Sequence, residues 1–240
     1  MSEAVFVEGL TKAYDGKTVV DHLNLSVKRG TVFGLLGANG AGKSTTIECV
    51  LGTKQADGGT IRLLGQDPKK KHRALFQRIG VQFQEGDYQK EIRVDELCDE
   101  TASLYSHSAD LRMLCQQFGI GDKLRAPVRS LSGGERQRLF IVLALIPQPE
   151  LVFLDELTTG LDARARRGVW KTLEGLKEQG LTIFLTSHFM DEVEALCDEI
   201  CILKKGASVF RGTVAQAKRQ CGCERFEDAY LQLSDEEADA

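Results

Sequence analysis

Gly37-Ala-Asn-Gly-Ala-Gly-Lys43-Ser44 follows the apolar run Val32-Phe-Gly-Leu-Leu36 and precedes the helix candidate Thr45–Leu51. The pattern is G-x-x-x-x-G-K-[ST] between a buried strand and a helix, the context that a phosphate-binding loop requires. Its glycines let successive backbone N–H groups curl around phosphate oxygens, and the helix N-terminus adds a favourable partial charge. Gly37, Asn39, Gly40, Gly42, Lys43, Ser44 and Thr45 are therefore candidate phosphate ligands. Lys43 is placed to reach the β- and γ-phosphates of a nucleotide, and the Ser44 hydroxyl to take one position on Mg2+. A Gly-rich turn with a chance lysine would leave the full match in its strand-to-helix context unexplained.

A second site lies at Leu151-Val-Phe-Leu-Asp155-Glu156. Four apolar residues define a buried strand whose end delivers two acids. Asp155 suits the outer shell of Mg2+, through water, and Glu156 is the candidate general base for an attacking water. The plainer alternative is a pair of acids capping the next helix. A third motif, Leu131-Ser-Gly-Gly-Glu-Arg-Gln-Arg138, starts a helix whose interior is the apolar run Leu139–Ile146. Ser132 sits at a cap position, and Gly133 and Gly134 expose backbone N–H groups. On spacing alone this is either an ordinary capped helix or a second anion site. One nucleotide has one triphosphate tail, so a second anion site would serve a nucleotide held by another copy.

Short apolar β-type runs alternate with helical patterns along the chain, the mark of an α/β architecture. Val5–Val7 and Val19–Val27 read as early strands, Ile79–Phe83 and Thr182–Thr186 as further buried strands, and Ile200–Leu203 with Ser208–Phe210 as a closing hairpin around Lys204-Lys-Gly206. The middle, about Val94–Gln148, is helical instead. Leu111, Leu114, Cys115 and Phe118 follow helical spacing, with Ser108 placed to cap the start and Gly119 to end it. A helical lobe inserted between two halves of a sheet is expected.

Of the 240 residues, 42% are hydrophobic and 28% charged, the balance of a globular chain. The net charge of −4 disfavours a nucleic-acid coat, so no nucleic-acid partner is expected. The apolar run Leu139–Ile146 falls far short of the roughly 20 residues that span a bilayer, and no basic or apolar leader is visible, so a soluble cytosolic chain is expected. The seven cysteines form no even framework and read as reduced thiols packed as small hydrophobes. Neither Cys197 with Cys201 nor Cys221 with Cys223 has a nearby histidine to complete a zinc site. Lys69-Lys-Lys-His-Arg73 reads as a solvated helix face, with contact to acidic lipid or a partner as the alternative. The acidic stretch Ser234–Ala240 is expected to fray.

With these motifs in this order, the chain resembles an ABC-type ATP-binding cassette from about Val5 to Leu233. The resemblance implies a P-loop NTPase fold with a RecA-like parallel-sheet core, an antiparallel β subdomain and an inserted helical lobe. It implies a single ATP-binding domain over 1–240, with a core of 1–86 and 149–215, a lobe of 87–148 holding the signature motif, and a C-terminal helix and acidic tail over 216–240. It favours the anion-site reading of Ser132, Gly133 and Gly134. By resemblance, Tyr14 stacks on adenine, and Gln84 contacts Mg2+ and water and senses the transport domain. Asp162, in Gly160-Leu-Asp162, communicates across a dimer, and His188, in Thr186-Ser-His188, contacts the γ-phosphate. The implied catalytic set is Glu156, His188, Gln84 and Lys43, and the implied metal set is Ser44, Gln84 and Asp155. One departure is Leu157, where the family often has a proline that would fix φ and remove a donor.

The start, the signature Leu131–Arg138 and the ending Phe226-Glu-Asp-Ala-Tyr-Leu231 look most like the drug, lipid and polysaccharide exporter branch. The implied function is the ATPase subunit of a membrane exporter. Two cassettes would sandwich two MgATP and drive permease subunits encoded on other chains, at the inner face of the cell membrane. The alternative is a soluble ABC ATPase of translation or DNA repair. Such proteins usually carry two cassettes, a zinc-bearing insertion or coiled coils, none of which is visible here. A P-loop kinase or GTPase would leave the signature motif unexplained, and no Asn-Lys-x-Asp guanine-reading motif is present.

Overall fold

Alternating burial builds the N-terminal hairpin in the computed structural model, which describes residues 3–82, 89 and 91–234. β1 (Glu3–Tyr14) buries Val5, Val7 and Leu10, and β2 (Lys17–Lys28) buries Val20, Leu23, Leu25 and Val27. β1 lies between β2 and β4 (Gly58–Leu63) in an antiparallel three-stranded sheet. The strand expected at Val5–Val7 runs on to Tyr14, because ladder pairing to β2 and β4 carries its more polar second half. β4 has no sequence signature of its own. Its Gly58-Gly-Thr-Ile-Arg-Leu63 is held by pairing Val5 with Leu63 and Val7 with Ile61.

A second sheet runs in the order β5-β6-β7-β3-β8-β9. β3 (Val32–Leu36) and β6 (Leu151–Leu154) are buried along their whole length and parallel to β5 (Ile79–Gln82), β7 (Thr182–Leu185) and β8 (Glu199–Lys204). Continuous apolar runs are what a strand covered on both faces requires. β9 (Ala207–Gly212) closes the edge antiparallel to β8, the expected hairpin. Parallel register brings the C-terminal ends of β3, β6 and β7 to one edge, where ligands of open α/β sheets bind. Phe83, expected at the end of β5, lies outside the described residues.

The chain leaves the sheet after β5, passes through α3 (Val94–Ser103), α4 (Leu111–Gln117) and α5 (Gly133–Leu145), and returns as β6 beside β5. Val94, Cys98, Leu114, Cys115, Phe118 and Leu139 pack together in this region. The cap of α4 is Asp110 rather than the expected Ser108: its Oδ1 accepts the Met113 N–H at 3.0 Å. A carboxylate directly before the helix outcompetes a hydroxyl two residues further out. Gly119 follows α4 at φ 66°.

Two helices precede this lobe: α1 (Lys43–Leu51) follows β3, and α2 (His72–Phe76) precedes β5. Lys69–Lys71 form an exposed turn before α2, so the basic run is only in part a helix face. α6 (Ala163–Glu178) and α7 (Met190–Leu196) flank β7, and α8 (Val214–Cys221) and α9 (Phe226–Ser234) follow β9. Phe226, Ala229 and Tyr230 of α9 join Leu36, Val193 and Ile200 in a shared cluster. All seven cysteines are free thiols. Among the described residues no helix is long and apolar enough to cross a membrane.

Candidate functional site

The loop after β3 needs left-handed backbone, with Gly40 at φ 78° and Gly42 at φ 104°. Gly42 is the N-cap of α1, and a Cβ there would stand 2.6 Å from the Val19 carbonyl oxygen. Gly206, in the β8–β9 turn, braces the same place. Its N–H donates to Ala41 O at 3.0 Å, its carbonyl accepts the Asp21 N–H at 2.9 Å, and a Cβ would collide with Val19 O. The sequence reading takes Lys204-Lys-Gly206 as a hairpin turn and misses this bracing role. Gly206→Ala, at φ 85°, is expected to cost about 1–3 kcal/mol of stability and to weaken nucleotide binding. A denaturant midpoint and an ATP titration check it, and an unchanged midpoint rules out the strain.

Lys43 is buried, and its Nζ donates to Gly37 O at 2.5 Å and Ala38 O at 3.0 Å. The loop thus holds its own ammonium group. A cavity of about 570 Å³ opens beside it, lined by Val19, Asn39, Gly40, Gly42, Lys43, Ser44, Thr45, Asp155, Glu156 and His188. The candidate phosphate ligands other than Gly37, both acids and the histidine therefore share one cavity. Gly37 acts from behind, through Lys43.

Thr186, which directly follows β7, organises the acids. Its hydroxyl donates to Asp155 Oδ1 at 2.5 Å and accepts the Glu156 N–H at 2.9 Å. Asp155 is 7% exposed, and burial pushes its carboxyl up while the Thr186 bond opposes that rise. Glu156 adopts φ 52°, a left-handed conformation unusual outside glycine. Gln137 of α5 donates to the carbonyls of Glu156 at 3.2 Å and Leu157 at 2.9 Å. The Leu157 N–H donates to Thr186 O at 3.4 Å, and the Leu157 side chain is fully buried. Hydrogen bonds and packing hold the turn where a proline ring would otherwise stiffen it. His188 Nε2 lies 3.1 Å from Glu156 Oε1. Thr186 and Gln137 are missed by sequence reasoning. Thr186 stands two residues before His188 in the motif, but its partners lie about 30 residues away.

Other candidates lie outside the cavity lining. Tyr14, 39% exposed at the end of β1, has the ammonium groups of Lys12 and Lys54 at 5.0 and 5.7 Å from its ring centre. Ser132 caps α5: its hydroxyl accepts the Glu135 N–H at 3.2 Å, and its own N–H donates to Glu135 Oε2 at 2.8 Å. The Ser132 N–H, the Lys123 ammonium and the Ser132 hydroxyl hold the Glu135 carboxyl down at about 2. A Cβ on Gly134 would approach Leu161 to 3.2 Å, so the signature turn rests on the loop leading to Asp162, whereas space around Gly133 is open. Asp162 caps α6, its Oδ1 accepting the Ala165 N–H at 2.8 Å. Gln84 lies outside the described residues.

The family model described as "ABC transporter" matches residues 20–159. A "Nod factor export ATP-binding protein I" of Ralstonia nicotianae is 42% identical over 92% of this chain and 71% of that protein. The "Daunorubicin/doxorubicin resistance ATP-binding protein DrrA" of Streptomyces peucetius is 37% identical over 92% of this chain and 68% of that protein. Among solved structures, an ATP-binding subunit of an ABC transporter is 26% identical with a TM-score of 0.87, covering 96% of this chain and 99% of that one. A nucleotide-free ATP-binding cassette from an ABC transporter shares the fold, with a TM-score of 0.80 at 20% identity over 95% and 99% of the two chains.

Proposed function

Because this chain belongs to the ABC transporter family and is an ATP-binding cassette ATPase, we propose that it powers an exporter as the ATP-hydrolysing subunit, acting as a pair of cassettes beneath separate permease chains. The observation that carries the reading is that Lys43, Ser44, Asp155, Glu156 and His188 share one cavity that Ser132–Gly134 do not reach. A second copy docked head-to-tail would supply those donors. The cassettes would sit at the inner face of the cell membrane, held there by their permeases. The names of the Nod factor and daunorubicin/doxorubicin relatives support export as the direction.

On binding ATP, Lys43 exchanges the carbonyls of Gly37 and Ala38 for β- and γ-phosphate oxygens. The N–H groups of Gly40, Gly42, Ser44 and Thr45 cradle the phosphates, with Asn39 at the rim. Tyr14 stacks on adenine. Glu156 accepts the proton of the attacking water, and His188 orients that carboxylate and reaches the γ-phosphate. Ser132, Gly133 and Gly134 of the second copy complete the anion site, and Asp162 signals between copies.

The donor set also fits Mg2+. A buried carboxylate and a serine hydroxyl are hard oxygen donors in one cavity, and among the described residues no cluster of three His, Cys, Asp or Glu makes a cage of its own. That matches an ion held by one or two protein oxygens plus phosphate. Ser44 and, through water, Asp155 would hold it, with Gln84 as a further ligand. When bound it would supply positive charge that offsets the charge on the phosphates. We assign 1–86 and 149–215 to the ATP-binding core, 87–148 to the lobe that meets the permease, and 216–240 to the C-terminal helix and tail.

Ser132→Arg is expected to leave binding of one ATP per chain intact, to abolish the ATP-dependent dimer, and to lower turnover by about 10²-fold or more. Sedimentation with and without MgATP reads the dimer, and unchanged dimerisation sinks the cross-copy site. Tagged Glu156→Gln, recovered from detergent-solubilised membranes with MgATP, is expected to bring down a stoichiometric polytopic membrane protein. Recovery of ribosomes or of soluble partners alone would favour the non-transport reading instead.

A further inference from the structure

Glu192 of α7 is fully buried, yet it does not line the nucleotide cavity. Its Oε1 accepts two hydrogen bonds, from the Thr158 hydroxyl at 2.6 Å and from the Trp170 indole N–H at 2.9 Å. Burial pushes its carboxyl up, against the pull of hydrogen bonds from Ser187, Thr158 and Trp170 and of the Arg166 charge. A carboxylate is a costly choice for a packed interior position unless its hydrogen bonds hold something in place.

What it holds is a junction of two loops. Thr158, itself fully buried, stands two residues after Glu156, in a turn where the Thr159 N–H donates to Glu156 O at 3.2 Å. On the other side stand both neighbours of His188. The Ser187 hydroxyl accepts the Phe189 N–H at 2.9 Å, and Phe189 is the N-cap of α7, whose first turn carries Glu192. The Phe189 ring carries the Arg166 guanidinium at 4.4 Å. Arg166 Nη1 in turn lies 3.5 Å from Asp191, beside Glu192. One carboxylate therefore ties the loop that carries Glu156 to the turn that carries His188.

We propose that Glu192 is a positioning residue: by clamping Thr158 beside the Ser187–Phe189 turn, it sets the 3.1 Å approach of His188 to Glu156. Glu192 reaches nucleotide and water only through these two residues. The proposal rests on the reading of Glu156 as the general base. It makes the clamp a determinant of turnover rather than of ATP affinity, because Lys43, Ser44 and the rest of the phosphate loop lie outside it.

The test uses the purified full chain and measures steady-state kcat and KM for MgATP, ATP bound per chain, and the thermal midpoint. Glu192→Ala is expected to lower kcat about 10-fold or more while KM stays within about 3-fold. Glu192→Gln, which keeps an acceptor for Thr158 and Trp170, is expected to recover most of that loss. Thr158→Val, nearly isosteric, repeats the effect if Glu192→Ala does not fold, and Thr158→Ser restores it. The losses of Glu192→Ala and Thr158→Val are expected not to add, as for partners in one contact. In a Glu156→Gln background, Glu192→Ala is expected to cause no further loss, which a general loosening of the fold would not reproduce. Wild-type kcat in both Glu192→Ala and Thr158→Val overturns the clamp, as does a further loss in the Glu156→Gln background. Near wild-type hydrolysis by Glu156→Gln itself overturns instead the reading of the base.

Discussion

Glu156→Gln is expected to lower ATP turnover by about 10²–10⁴-fold while ATP binding stays within a few-fold of wild type. The range corresponds to about 3–5 kcal/mol of transition-state stabilisation. The substitution isolates the chemistry because the bonds that fix this residue are made by its backbone. Its N–H goes to Thr186 Oγ1 at 2.9 Å and its carbonyl accepts from Gln137 at 3.2 Å, and a glutamine keeps both. The left-handed φ of 52° is therefore retained, and the side chain still ends beside His188. What is lost is the capacity to accept a proton from water. Removal of a negative charge near the phosphates favours ATP retention, so the ATP-bound pair of cassettes should accumulate. Single-turnover hydrolysis and bound-nucleotide analysis check this, and turnover near the wild-type rate would place the base elsewhere.

The parallel core was legible because its strands are continuous apolar runs that end in chemistry. Val32–Leu36 runs into glycines, Leu151–Leu154 into two acids, and Thr182–Leu185 into Thr186 and His188. A run covered on both faces can hide little polarity, so the pattern survives without its partners. β4 and the outer half of β1 were illegible for the opposite reason. Their residues are polar or glycine, and the ladder to neighbouring strands, not composition, makes them strands.

The site divides in the same way. Asp155 and Glu156 follow a strand end directly, and Lys43 and Ser44 follow one across the glycine loop, so local reading found them; His188 was named through the family resemblance, and the fold brought all five to one cavity. Thr186, Gln137 and Gly206 act across distance in the chain, through hydrogen bonds and a close backbone approach that no local pattern encodes. The absence of proline after Glu156 also became interpretable only in three dimensions. Leu157 supplies an N–H to Thr186 and a buried side chain that together hold the turn.

Lys43→Ala is expected to weaken ATP binding by about 2–5 kcal/mol, the cost of removing one partner from a buried charge pair. That amounts to roughly 30-fold to several thousand-fold in affinity. Lys43 is 8% exposed and its ammonium group is already held by Gly37 O at 2.5 Å and Ala38 O at 3.0 Å, so it is aimed before nucleotide arrives. Two neutral carbonyls are weaker partners than phosphate oxygens, so the exchange on binding is favourable. The substitution also removes those two loop bonds, and the loop itself will slacken. Lys43→Met separates the two effects, since it fills the space without charge or donors. If both variants lose affinity alike while their unfolding midpoints differ, the charge carries binding. If Lys43→Met binds MgATP as wild type does, loop packing carries it, and the assignment of the ammonium to the β- and γ-phosphates fails. Direct titration with a fluorescent ATP analogue, repeated at raised salt, distinguishes these outcomes. Only the charge-carried affinity of the wild type falls with ionic strength.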